Sequence, residues 1–161
     1  MDAVAEGTSA RLLTAIHDAE ALQRLSEIVQ AQAKAREGPD HRELVRLHWE
    51  FHRTICISGG NPFLLDLWTK VSNVIRIYST AAISKTAVEN NRVFLDYFTN
   101  KLPEQAEEVL RSQIIAMSYI YLQRPIAAAV KSYVTVFIDG KNKVRDVSAL
   151  DHDQLARLAE N

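Results

Sequence analysis

A chain of 161 residues, 47% hydrophobic and 24% charged, fits one globular domain with a sizeable core and excludes disorder or a collagen-like fibre. Its formal net charge of -1, with Lys and Arg spread along the chain, excludes the basic face by which a protein holds nucleic acid unaided. No apolar run approaches the roughly 20 residues that span a bilayer, and Met1 to Glu6 lack the regions of a signal peptide, so a cytoplasmic protein without membrane contact is expected.

Residues 1–8 carry no hydrophobic periodicity and are expected to form a loose lead-in. From Ser9 the apolar positions Leu12, Ala15, Ile16, Ala19, Leu22, Leu25, Ile28 and Val29 recur at intervals of three and four, the stripe of an amphipathic helix. That helix, interrupted near His17-Asp18, runs to about Ala35, and Gly38-Pro39 stops it. Asp40 with Glu43 has the form of a capping box, so a second helix begins at His41. Its inward positions are Leu44, Leu47, Phe51 and Ile55. Beside them His48 and His52 lie one turn apart, able to turn both imidazoles toward one point, which is half of a site.

Gly59-Gly60 ends that helix, Asn61 is a good N-cap for the next, and Pro62 suits a first helical position. The third helix, Phe63 to about Ala82, carries Leu64, Leu65, Leu67, Trp68, Val71, Val74, Ile75 and Tyr78. A stripe this wide suits a helix that is central to a bundle and also half of a subunit interface. A fourth helix is expected over about 87–100, with Val88, Val93, Phe94, Tyr97 and Phe98 inward. Pro103 opens a fifth, with Glu104, Glu107 and Glu108 near the positive end of its dipole; Ala106, Val109, Leu110, Ile114 and Met117 face the core, and Pro125 is its limit. Beyond, Tyr133 to Ile138 is dense in β-branched and aromatic residues and Asp139-Gly140 is a turn signal, so a short β-hairpin with Lys143 to Val147 is expected, packed on the bundle or a neighbouring chain. Ser148 would cap a last short helix bearing Leu150, Leu155 and Leu158. The single cysteine, Cys56, excludes an internal disulfide and a thiolate metal cage, and between Ile55 and Ile57 it reads as a buried, inert thiol.

With the helices placed, His48-Trp49-Glu50-Phe51-His52-Arg53-Thr54-Ile55, followed by Ser58-Gly59-Gly60-Asn61-Pro62-Phe63-Leu64, resembles the C-terminal effector-binding (FCD) domain of FadR-type regulators in the GntR family. There the stretch reads as an Asp, three residues ending in Phe, a His, and then a small residue, Gly, Asn and Pro. A second block, Asn91 to Phe98 through Pro103-Glu104-Gln105-Ala106 to Gln113, is similar to the family's pair of histidine-bearing helices. The resemblance covers residues 10–124 and implies an all-α, antiparallel bundle of about six helices, with residues 125–161 a C-terminal extension outside it.

In metal-binding members of that family an Asp and three His hold a divalent ion, which receives a small carboxylate. By resemblance the Asp falls on His48 and the three His on His52, Asn91 and Gln113. Exchanging a carboxylate for imidazole and two imidazoles for amides removes charge and nitrogen donors that a transition ion needs. The surviving pair, His48 and His52, is what would hold an ion such as zinc or nickel. The expectation is instead a metal-free pocket in which His48, His52, Asn91 and Gln113 bond a small polar or carboxylate-bearing effector, since buried polar groups left unbonded cost about 1–3 kcal/mol each. Arg76, on the third helix, is a candidate two-pronged clamp for a carboxylate.

The function expected is therefore that of a ligand-sensing, dimerising domain of a transcription regulator. Its partners are a small-molecule effector and a second copy, with DNA reached only through a winged-helix module that this stretch does not include, whether as a fragment of a longer regulator or as a free-standing effector domain. Two other classes stand beside it. One is a metal-dependent helical-bundle enzyme using His48 and His52, for which no Gly-rich phosphate loop, HExxH or Glu-x-x-His pair is present. The other is a purely structural dimerisation domain, which no metabolite would stabilise.

Overall fold

The computed structural model describes residues 2–38, 41–79, 86–121, 136–138 and 144–146. Six helices carry the fold: α1 (Asp2–Ile16), α2 (Ala19–Glu37), α3 (His41–Ser58), α4 (Pro62–Ser79), α5 (Thr86–Thr99) and α6 (Pro103–Tyr121). Together they form an all-α bundle. Two short strands, β1 (Val136–Ile138) and β2 (Val144–Asp146), pair antiparallel with Phe137 opposite Arg145, and β1 lies against α5 and α6. The Asp139-Gly140 turn, the capping residue Asp40, Pro125 and the expected helix from Ser148 lie outside the described residues.

The helix ends follow local chemistry. His17 adopts a left-handed backbone (φ 54) that breaks the chain between α1 and α2, and the Asp18 carboxylate caps α2 by accepting from the Glu20 and Ala21 amides at 2.9 and 3.4 Å. Gly60, at φ +69, takes the turn after α3 that a side chain would strain. Asn61 Oδ1 then accepts from the amides of Phe63 and Leu64 at 3.0 and 3.2 Å, and Pro62 opens α4 as its missing N–H allows.

The lead-in expected at residues 1–8 is corrected: α1 starts at Asp2 and buries Asp2, Ala3, Ala5, Glu6, Gly7 and Ser9. Far from peripheral, α1 packs against α3, α4, α5 and α6. Its buried residues are mostly small, which lets neighbouring backbones approach closely but leaves little hydrophobic contrast in the sequence. The inward register of this helix also differs from expectation. Ala10 and Leu13 are fully buried, whereas Ile16 is 58% exposed and Ala15 is exposed.

One apolar core joins α1, α2, α3, α5 and α6 through Leu13, Leu25, Ile28, Leu47, Phe51, Ile55, Phe94, Phe98 and Leu110. A smaller cluster of Ala5, Trp49, Cys56 and Trp68 fills the junction of α1, α3 and α4. Cys56 is fully buried, and burial, with Glu6 second, pushes its thiol pKa far up, which makes it inert as read. Charged pairs fasten the periphery: Arg11 of α1 reaches Glu104 and Glu107 of α6, and Arg36 of α2 pairs with Glu89 of α5.

The contact between α1 and the end of α3 tolerates no side chain at Gly59, where a Cβ would lie 2.9 Å from the Ser9 carbonyl oxygen and 3.0 Å from its Cα. Backbone cannot step aside as a flexible side chain can. Gly59→Ala is expected to cost about 1–3 kcal/mol in chemical denaturation, while Gly38→Ala, which meets only the Ala35 carbonyl at 3.5 Å, should change stability by less than about 0.5 kcal/mol.

Candidate functional site

Where α1, α3 and α4 meet, a carboxylate lies in the interior. Glu6 is 2% exposed, yet both of its oxygens are bonded: Oε1 accepts from the Trp68 indole Nε1 at 2.5 Å, and Oε2 is 2.5 Å from His52 Nδ1. Taking a charge out of water costs several kcal/mol, so it persists here only because a counter-charge and two donors replace the lost hydration. Asp2 stands one turn before Glu6 on the same face of α1, as His48 stands one turn before His52 on α3. Glu6 and His52 meet across the helix contact, and Asp2 lies near enough to act on His52.

Their electrostatics diverge sharply. Burial alone would lower the pKa of His52, but the charge and hydrogen bond of Glu6, with Asp2 adding, carry it above the usual 6.5. The shift favours the protonated ring, whose Nδ1–H donates to Glu6. Burial, and then repulsion from His52, drives His48 well below 6.5 and keeps it neutral. Its ring stands edge-on to His52, with centroids 4.5 Å apart, and its Nδ1 is buried without a hydrogen-bond partner in the protein. Asp2 is raised to about 7, by burial first and by Glu6 second, with His52 opposing; its Oδ1 is likewise buried and unpartnered.

Of the five expected site residues, the structure brings His48 and His52 together. Asn91 is committed elsewhere: fully buried, it donates from Nδ2 to Gln32 Oε1 at 3.1 Å across the α2–α5 contact. Gln113, on α6, has a buried Oε1 without a partner. Arg76 belongs to α4, and its side chain lies outside the described residues. The residues that sequence reasoning missed are Glu6, Asp2, Trp68 and Gln32. A signal for the first two exists, an acidic pair at the same four-residue spacing as the histidines, but it stands in a stretch without hydrophobic period.

A divalent ion does not fit this arrangement. The two oxygens of Glu6 are taken by His52 and Trp68 and Asn91 is bonded to Gln32 at the α2–α5 contact, so neither the carboxylate nor the amide completes a ligand set with His48 and His52. Among the described residues no group of three or more His, Cys, Asp and Glu is disposed to hold a metal. None of the helices among those residues is long and apolar enough to cross a membrane.

A raised histidine pKa means that the folded state binds the proton more tightly than the unfolded one. The Glu6–His52 pair thus contributes its full stability below about pH 6.5 and loses it as pH climbs through the raised His52 value. Histidine ring NMR should show His52 titrating above 6.5 and His48 far below it. In Glu6→Gln the His52 midpoint should fall, and the alkaline loss of stability should flatten. An unchanged His52 midpoint would mean that Glu6 does not hold its proton.

Compared with known families, residues 3–116 match the model of the FCD domain. No curated protein and no solved structure matches the chain.

Proposed function

Since this chain belongs to the FCD domain family, the effector-binding domains of FadR- and GntR-type regulators, we propose that it senses a small polar metabolite held in the bundle interior beside His48 and His52. The observation that carries this is the polar junction of α1, α3 and α4. It keeps a charged pair, Glu6–His52, in the interior next to a neutral imidazole whose Nδ1 has no protein partner. A domain selected only for packing gains little from such a junction, because apolar residues of similar volume match or exceed a buried ion pair in stability. A cluster of unequal bonding states suits a ligand site better, since a ligand that completes the bonds favours one arrangement of the three helices over another.

In this proposal the bundle supplies the signal, a second copy completes a homodimer, and DNA contact falls to a winged-helix module. Surface apolar residues support the pairing. Phe63, at the start of α4, is 72% exposed, and Ile16, 58% exposed, lies close to the turn at Gly60. Catalysis has less support: Cys56 is buried with its thiol pKa raised, and His52 is committed to Glu6.

A panel of small metabolites tests the assignment. A true effector present at a hundred times its Kd should add about 2.7 kcal/mol of stability, and no response across acids, amines and polyols would refute it. Gln113→Ala should weaken that response at near-parental stability, because its Oε1 makes no bond within the protein. Asn91→Ala should instead cost about 1–3 kcal/mol, since it strands Gln32 in the core. Sedimentation of the purified domain should give a dimer mass that Phe63→Glu reduces; a monomer at every concentration would refute the pairing.

A further inference from the structure

Five of the six helices share the main core, and α4 is the one left out. Among the described residues no side chain of that core comes from α4, which packs on α1 and α3 through the smaller cluster of Ala5, Trp49, Cys56 and Trp68. Most polar side chains of α4 bond within their own helix: Lys70 to Asp66, Thr69 to the Leu65 carbonyl and Ser72 to the Thr69 carbonyl. Trp68 is the exception among the described residues, donating from Nε1 to Glu6 on α1 at 2.5 Å. Other helices are tied together more than once, α1 to α6 through Arg11 with Glu104 and Glu107, and α2 to α5 through Gln32 with Asn91 and Arg36 with Glu89.

We propose that α4 is a latched lid over the Glu6–His52 pair, lifting as a unit while the other five helices stay packed, with the Trp68–Glu6 hydrogen bond as its latch. Stability is uneven across a fold, and an element that shares little of the main core opens at a lower free energy than the whole. Lifting α4 withdraws the indole from Glu6 Oε1 and frees that oxygen for another donor, while Oε2 stays with His52. A ligand donor at Oε1 therefore competes with Trp68, and it favours the lifted arrangement by as much as it binds that arrangement better. In this respect the lid rests on the effector-binding role above, to which it gives a route to a carboxylate only 2% exposed with α4 in place. The latch is strong enough to hold, because a hydrogen bond to a charged acceptor is worth about tenfold or more in the opening equilibrium.

Native-state hydrogen exchange, read by mass spectrometry on the full chain without ligand, tests the lid. Amides of residues 62–73 should exchange faster than those of α2 and α5. Ile28→Val, which trims one methyl group from the main core, should speed exchange in α2 and α5 about fivefold and leave α4 at its parental rate. Trp68→Phe should speed α4 at least about tenfold. Equal acceleration of α4, α2 and α5 in Ile28→Val would show six helices opening as one and overturn the lid, even where Trp68→Phe fails to fold. An α4 rate that Trp68→Phe leaves unchanged would overturn the latch. Because no ligand enters the experiment, an empty metabolite panel would remove the effector-binding role and leave a separately opening α4 standing.

Discussion

Glu6 shares its two oxygens between an imidazole on α3 and an indole on α4, and the arrangement of the polar interior follows from that one carboxylate. A buried charge is costly, and once α1 carries it inward the neighbouring helices must meet it with donors. Trp68 and His52 do so. Burial first, and then repulsion from His52, lowers His48, while burial first, and then the Glu6 charge, raises Asp2. His48 and His52, alike in intrinsic acidity and one helix turn apart, are thus pushed in opposite directions.

The same helix explains the packing. With Ala3, Ala5, Gly7, Ser9 and Ala10 buried, α1 is slim enough for four other helices to lie against it. The stem of Arg111 runs so close over Gly7 that a Cβ there would come within 2.1 Å of its Cγ. A separate polar contact, Gln32 with Asn91 and Arg36 with Glu89, sets α5 against α2. Because an unmatched amide or charge in the interior is penalised, each polar contact discriminates against slipped registers that an apolar seam would tolerate. A ligand that engages the junction of α1, α3 and α4 therefore acts on three helices at once, which is the physical requirement for passing a local binding event to the rest of a bundle.

Much of this was legible without coordinates. The stripe Leu44, Leu47, Phe51 and Ile55 announced the buried face of α3, Asn61-Pro62 its junction with α4, and Pro103 the start of α6, because caps, proline geometry and helical spacing are local rules. The pairing of Val136 to Ile138 with Val144 to Asp146 was legible for the same reason, in its β-branched and aromatic residues. The likeness to the FCD domain was carried by short motifs, and the family match over residues 3–116 bears it out.

The sequence by itself determined the helical class, the element borders from His17 to Pro103, and the placing of His48 and His52 on one face, since each depends on residues within a few positions of one another. Tertiary structure alone decided that Asp2 to Ser9 are helical and packed into the bundle, that Glu6 answers His52, and that Asn91 bonds Gln32 instead of joining the histidines. Small side chains give no hydrophobic period, and a partner 46 or 59 positions away is selected by how helices pack, which no local pattern encodes.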